Sequence, residues 1–243
     1  FRPTCSLCEC SPGKRPCPVM ERRTDQSTDA CIRDIPRCEL VDRLTLAHLD
    51  EVKKELQNAN PDIVVHLAAR TEVEKSFYEQ ITFSQINYTG SVNLIEAVSK
   101  LNKSCYFVFA STMEVYGWQP ISDVVKAHGV VGKFAQSTYF DEFTSPNPNA
   151  PYAVAKYAVE KYLEYAHRAF GLPFTALRQT NCYGRKDNDF FVTERIISQM
   201  LTSDKIKLGD PLPYRNFLFI DDLLDAWLTL IQRHDVLNGK ILT

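Results

Sequence analysis

The sequence predicts an α/β domain built on a mainly parallel sheet, and three observations carry that reading. Short, largely apolar runs of the kind buried in parallel sheets, "DIVVHLAA", "CYFVFAS" and "PFTALR", recur along the chain. Between them lie longer segments with apolar residues at helical spacing. The two kinds alternate, as a parallel sheet with helical crossovers requires.

The elements follow in order. Residues 1–38 carry Pro3, Pro12, Pro16, Pro18 and Pro36 with little apolar periodicity, and read mostly as loop or irregular structure. "LTLAHLDEVKKELQNA" sets Leu46, Leu49, Val52 and Leu56 on one helical stripe, which Asn60 and Pro61 end. "DIVVHLAA" reads as a strand, "NYTGSVNLIEAVSKL" as a helix and "CYFVFAS" as a buried strand. "PYAVAKYAVEKYLEYAHRAF" is a long helix with proline near its first position. After it come a strand "PFTALR", a helix "FFVTERIISQMLT", short strands "KIKLG" and "RNFLF", a helix "IDDLLDAWLTLIQ" and a last strand "GKILT". In such sheets ligands sit beyond the carboxyl ends of the strands, near the point where strand order reverses. The informative stretches are therefore "HLAARTEV", "ASTMEVYG" and "LRQTNCYGR".

The 243 residues suffice for one domain or two closely joined parts. A formal charge of -2 gives no general pull toward nucleic acid or anionic membrane, which leaves small molecules or proteins as the expected partners. No apolar run reaches the roughly 18 residues needed to cross a bilayer. The first residues lack the apolar core of a signal peptide, so a cytoplasmic protein is expected. Six of the eight cysteines, Cys5, Cys8, Cys10, Cys17, Cys31 and Cys38, crowd the first 38 residues, while the remainder reads as a reduced intracellular chain. The first four offer thiolates for zinc. Cys10 breaks the pairing, however, and no second C-x-x-C or histidine pair follows at finger spacing, so no metal is expected.

Chemistry concentrates in two places. Ser111, Thr112 and Glu114 follow the strand "CYFVFA" and bring two hydroxyls and a carboxylate to the ligand edge of the sheet. Partial burial would raise the Glu114 pKa and suit it to general-base work, whereas a solvated turn is the plainer alternative. The long helix contains Tyr152 and Lys156 at i and i+4, then Tyr157 and Lys161 at the same spacing. A free phenol has a pKa near 10, and a neighbouring ammonium, helped by a cationic nicotinamide, is expected to lower it. Tyr152 would then remove a sugar-hydroxyl proton while hydride leaves the same carbon. Five residues of helix turn through about 500°, so the second pair points roughly 140° away from the first. Tyr152 and Lys156 stand closest to the ligand edge, directly after "SPNPNAP"; packing is expected for Tyr157 and solvent for Lys161.

Together these motifs resemble the extended short-chain dehydrogenase/reductases that act on nucleotide sugars, the epimerases and 4,6-dehydratases, from about residue 40 to the end. "PDIVVHLAA" resembles the family's strand that lines the cofactor, and "INYTGSVNLIEA" the helix bearing its asparagine, here Asn87. "STMEVYG" is similar to the active-site strand end, and "NPNAPYAVAK" to the tyrosine-lysine helix. "LRQTNCYGR" resembles the segment whose asparagine, here Asn181, contacts the nucleotide sugar. "RNFLFIDDLLDA" resembles the segment whose arginine, here Arg215, pairs with the diphosphate, a fork suited to bidentate phosphate contact. The structural alternatives are helix capping for Asn181 and a surface charge for Arg215.

The resemblance implies a Rossmann-like doubly wound sheet binding NAD or NADP, a nucleotide-sugar substrate, and, by analogy with its members, a homodimer through the Tyr152 helix and its neighbour. It places Leu67, Ala68, Ala69, Asn87, Ser111, Tyr152 and Lys156 at the cofactor, with Asp42 near the adenine. Thr112-Met113-Glu114 resembles the dehydratase triplet, where the glutamate takes the proton at sugar carbon 5. Met113 departs from the usual aspartate, which leaves protonation of the leaving hydroxyl to Glu114 or water. "FFVTERI" also resembles a segment of GDP-mannose dehydratases. The larger departure is at the start: members open with a strand and G-x-x-G-x-x-G, whereas here only Gly13 precedes Gly90, and Gly129, Gly132 and Ala135 form a chance match elsewhere. The expected organisation is an atypical segment 1–38 with its first βα unit altered or missing, a dinucleotide-binding part 39–180, and a truncated nucleotide-sugar-binding part 181–243. The expected activity is that of a NAD(P)-dependent nucleotide-sugar 4,6-dehydratase, with oxidation at carbon 4, water loss across carbons 5 and 6 and hydride return to carbon 6. A 4-epimerase and a catalytically silent binding module are the alternatives.

Overall fold

The computed structural model describes residues 17–20, 38–40, 46–117, 140–184, 191–209 and 215–243, the first two stretches by backbone alone. Cys5, Cys8, Cys10, Cys31, Asp42 and the Gly129–Ala135 stretch lie outside the described residues.

The elements, in chain order, are β1 (Cys17–Met20), β2 (Cys38–Leu40), α1 (Leu49–Ala59), β3 (Ile63–His66), α2 (Val73–Ser76), α3 (Gln80–Ser84), a π-helical turn (Gln85–Thr89) and α4 (Gly90–Ser99). There follow β4 (Tyr106–Thr112), a 3₁₀ turn (Met113–Tyr116), α5 (Pro151–Phe170), β5 (Phe174–Gln179) and β6 (Asn181–Tyr183). The chain ends with α6 (Val192–Thr202), β7 (Phe217–Phe219), α7 (Ile220–Gln232), α8 (His234–Leu237) and β8 (Lys240–Leu242). Six strands form one parallel sheet in the order β2-β1-β3-β4-β5-β8. The chain runs outward from β1 to β2 and then crosses back to β3, so strand order reverses between β1 and β3. Their carboxyl ends open the crevice where ligands bind in doubly wound sheets.

Side-chain alternation explains the two layers of helices. On β4, Phe107 and Phe109 face one cluster, with Val52 and Leu56 of α1, Leu94 and Ile95 of α4, and Val159 and Leu163 of α5. Tyr106, Val108 and Ala110 face the other, with Leu223, Trp227 and Leu230 of α7. A strand buried on both faces needs no polar alternation, which is why "CYFVFAS" is so apolar. The helix ends follow local chemistry. Pro151 begins α5 without needing an N–H, and Gly171 ends it at φ 68° with its N–H donating to the His167 carbonyl (3.0 Å).

Residues 1–38, expected to be mostly irregular, contribute Cys17–Met20 as an interior strand of the sheet, between β2 and β3. Four residues containing a proline are too short to show periodicity, and proline argues against a central strand. "KIKLG" is not a strand. The Lys207 backbone is held by the side chain of Gln199, which donates to its carbonyl (3.1 Å) and accepts from its N–H (2.8 Å), replacing a ladder partner. Residues after "PFTALR" add β6, which pairs with β7 in a separate two-stranded parallel sheet. Among the described residues, no helix is long and apolar enough to cross a membrane.

Candidate active site

β4 delivers the first residues of the site. Ser111 and Thr112 are its last positions, both buried. Thr112 caps the 3₁₀ turn, its hydroxyl accepting from the Glu114 N–H at 3.2 Å, so the half-buried Glu114 is aimed from the strand end. The turn closes at Gly117 (φ 55°, ψ −132°), where a Cβ would stand 1.8 Å from the Asn147 carbonyl oxygen. Only glycine permits that approach. It brings the 3₁₀ turn against the loop that feeds α5, and the Asn147 N–H donates to the Val115 carbonyl (2.9 Å).

From α5, Tyr152 and Lys156 both point into the protein, at 8 % and 2 % exposure. The Tyr152 hydroxyl lies beside the Thr112 hydroxyl and near Glu114. Its hydroxyl is pushed up to about 12, mainly by burial, opposed by the Thr112 hydrogen bond and reinforced by the Glu114 charge. This corrects the expectation that Lys156 lowers it: the Lys156 Nζ instead donates to the Ala110 carbonyl (2.7 Å) and lies 4.7 Å from the centre of the Phe109 ring. Burial pushes the Lys156 ammonium down to about 7, with the charge of Glu160 pulling the other way. The second pair stands apart, with the Lys161 Nζ 5.2 Å from the half-buried Tyr157 ring and bonded to Glu164 at 3.1 Å.

At the carboxyl end of β3, Leu67, Ala68 and Ala69 are half-buried beside the crevice. Asn87, in the π-helical turn, donates to the Arg70 carbonyl and accepts from the Arg70 N–H, each at 2.8 Å. Both ends of its amide are therefore used to shape the loop after β3. Below it the Ser91 hydroxyl donates to the Asn87 carbonyl (2.7 Å), and so accepts from Nε2–H of His66 (2.8 Å). Burial, joined by the charge of Lys156, pushes His66 down to about 3.

The substrate-side candidates meet through the small sheet. Register places Asn181 opposite Phe217, two residues after the exposed Arg215. The Thr180 hydroxyl donates to the Asn216 carbonyl (2.7 Å), and the Asn181 amide reaches the same oxygen (3.5 Å). Met113 sits against both, its sulfur 3.0 Å from the Thr180 hydroxyl and 3.8 Å from the Asn181 amide. The middle residue of the Thr-x-Glu triplet thus touches the Asn181 strand.

Sequence reasoning missed a buried ion pair behind the site. Glu160, fully buried on α5, accepts from Arg178 of β5 through both oxygens (3.0 and 2.8 Å) and from the Ser111 hydroxyl (2.5 Å). Ser111, expected at the cofactor, thus directs its proton into the protein. Arg178 also donates to the Tyr116 hydroxyl (2.9 Å). Two signals were available in the sequence: Glu160 continues the i, i+4 stripe of Tyr152 and Lys156, and Arg178 interrupts an apolar strand.

The profile of the family described as "NAD dependent epimerase/dehydratase family" matches residues 11–242. A dTDP-D-glucose 4,6-dehydratase of Dictyostelium discoideum is 31 % identical over 180 residues, 73 % of this chain and 40 % of that protein. The chain spans about half the length of the curated relatives it matches. Among solved structures, RMD from Pseudomonas aeruginosa, complexed with NADPH, superposes with a TM-score of 0.72 at 25 % identity, over 92 % of this chain and 76 % of that one. The dTDP-glucose 4,6-dehydratase DesIV from Streptomyces venezuelae, a double mutant with NAD bound, gives 0.76 at 21 % identity, over 93 % and 65 %.

Proposed function

The chain belongs to the NAD-dependent epimerase/dehydratase family, and on that premise we propose that it is the dinucleotide-binding and catalytic part of a nucleotide-sugar 4,6-dehydratase. The observation that carries the proposal is the convergence of Thr112, Tyr152 and Glu114 at one strand end, a hydroxyl and two proton-transfer groups within mutual reach. Relatives named as dTDP-glucose 4,6-dehydratases support it.

The residues fit the nicotinamide end of a dinucleotide. Ala68 and Ala69 line the switch point with minimal side chains, and Tyr152 and Lys156 stand at the neighbouring strand end. A bound nicotinamide dinucleotide supplies hydride acceptance from sugar carbon 4 and hydride return to carbon 6. Tyr152, steadied by Thr112, takes the proton of the 4-hydroxyl. Its elevated pKa is a resting value, which a bound cation at the nicotinamide position would lower. Lys156, pinned to the Ala110 carbonyl, places a positive charge under the strand end. Glu114 takes the carbon-5 proton, made acidic by the adjacent 4-keto group. The carbon-6 hydroxyl leaves as water, its proton coming from Glu114, since the Met113 thioether has none to give. Carbon 5 regains a proton from solvent as carbon 6 is reduced, balanced by the proton that Tyr152 releases. Asn181 on β6 and Arg215 just before β7 stand at the same end of the small sheet, positioned for the nucleotide diphosphate.

Incubating the protein with NAD or NADP and a panel of nucleotide hexoses is expected to give a 4-keto-6-deoxy product, one water lighter by mass spectrometry. Epimer interconversion without mass change would support the 4-epimerase reading instead. Bound cofactor with no turnover of any hexose would refute both. One observation favours the silent binding module: residues 21–37, which follow β1, contain no glycine for the pyrophosphate. Equilibrium titration decides it, because micromolar binding of NAD or NADP excludes loss of the cofactor site.

A further inference from the structure

Lys156 is buried on every side, and a buried ammonium persists only where charge or hydrogen bonding offsets its lost hydration. Among the described residues its hydrogen bond is to a neutral carbonyl, that of Ala110. The titratable groups around it are Tyr152 and Glu160 on its own helix and His66 on β3, with Arg178 of β5 behind Glu160. Glu160 is the carboxylate among them. It stands four residues after Lys156, one helical turn further along the buried face of α5.

Glu160 is also a joint. Ser111 and Arg178 are register partners on adjacent strands, and one carboxylate accepts from both. Arg178 extends the network to Tyr116, the last residue of the turn bearing Glu114, and the Tyr116 hydroxyl donates on to the Asp141 carbonyl (2.7 Å). Three pieces carrying the chemistry therefore meet at one buried ion pair: the helix of Tyr152 and Lys156, the strand end of Thr112, and the turn of Glu114. Such a pair adds little net stability over apolar residues of the same shape, so it is better placed to position groups than to strengthen the core.

We propose that Glu160 is the positioning residue of the site, seating the Tyr152/Lys156 helix on the end of β4 and placing a buried negative charge one helical turn from Lys156. The charge role holds for the protein without ligands; the consequence for turnover rests on the reading of Tyr152 and Lys156 given above.

The test follows Lys156 by NMR of ¹³C-labelled lysine in the ligand-free protein, beside the pH profile of turnover. In wild type, burial is expected to bring the ammonium midpoint down to about 7. Glu160→Gln is expected to move that midpoint down by about one pH unit or more, to shift the alkaline limb of kcat/KM in the same direction, and to cut kcat roughly 10- to 100-fold with KM nearly unchanged. Glu160→Asp, which keeps the charge on a shorter arm, should restore the midpoint toward wild type. If Glu160→Gln fails to fold because Arg178 is left unpaired, the neutral double variant Glu160→Gln/Arg178→Met takes its place, with a smaller downward shift expected because the opposing Arg178 charge is removed as well. A folded variant with an unmoved Lys156 midpoint overturns the proposal. A wild-type protein that turns over no nucleotide hexose refutes the dehydratase reading alone, because the lysine titration still decides the role of Glu160.

Discussion

Replacing Gly117 by alanine is expected to damage stability and site geometry together. The residue sits at φ 55° and ψ −132°, and the new Cβ would lie 1.8 Å from the Asn147 carbonyl oxygen, where real contacts stay beyond 3.0 Å. Holding a residue other than glycine in such a region costs about 1–3 kcal/mol. The carbonyl must also retreat by more than 1 Å, which pulls the Asn147 N–H from the Val115 carbonyl, a bond worth about 1 kcal/mol net. The sum is about 3 kcal/mol, or a fall in Tm of about 6–12 °C for a chain of this size. Scanning calorimetry reads that fall. Because the strained contact joins the Glu114 turn to the loop entering α5, kcat should drop at temperatures where the variant is still folded. A Tm within about 2 °C of wild type together with unchanged kcat would show that the turn relaxes freely, and the reasoning would fail.

Other outcomes follow from the same geometry. Tyr152→Phe should lower kcat by roughly 10²- to 10⁴-fold while leaving NADH binding, measured by fluorescence titration, within about 2-fold; equal loss of binding would make the hydroxyl a cofactor contact instead. Glu114→Gln should stop water loss yet leave the carbon-4 step intact, read as reduced cofactor forming without dehydrated product; full dehydration by this variant would remove Glu114 from the carbon-5 role. His66 is held neutral, with a folded pKa of about 3 against the ordinary 6.5, so the unfolded chain takes up the proton first as pH falls. Stability from this group is fully present above 6.5 and is lost between 6.5 and about 3, with a slope approaching 1.4 kcal/mol per pH unit. Urea midpoints from pH 7 to 4.5 should fall more steeply in wild type than in His66→Gln; parallel curves would rule out His66 as the source.

How much of this was legible in the sequence depended on whether the cause was local. α5 was readable to its ends because proline, helical periodicity and a terminal glycine all lie within its own residues. The strand "DIVVHLAA" was readable because burial on both faces leaves an apolar run. "KIKLG" has the composition of a strand, but the side chain of Gln199 supplies its hydrogen bonds, and nothing in those five residues points to a partner eight positions earlier. β1 was hidden for the opposite reason: Cys17–Met20 is a strand by virtue of its neighbours β2 and β3, not of its own pattern.

The site shows the same division in a sharper form. Helical spacing placed Tyr152 and Lys156 on one face correctly, and both are buried there. Spacing could not give the direction of the ammonium, which depends on Ala110 in the sheet beneath, so the expected effect of Lys156 on the phenol is not what the structure displays. Burial instead makes each group harder to charge, and the site therefore needs fixed charge from elsewhere. Glu160 meets that need one helical turn further on, but a glutamate at i+4 from a lysine ordinarily reads as an exposed ion pair worth a few tenths of a kcal/mol. What changes its meaning is Arg178, on a strand 18 residues away, which draws the carboxylate into the core. The role of Glu160 thus arises only when helix and sheet are packed together, and a buried acidic residue continuing a catalytic stripe is the pattern that would reveal it.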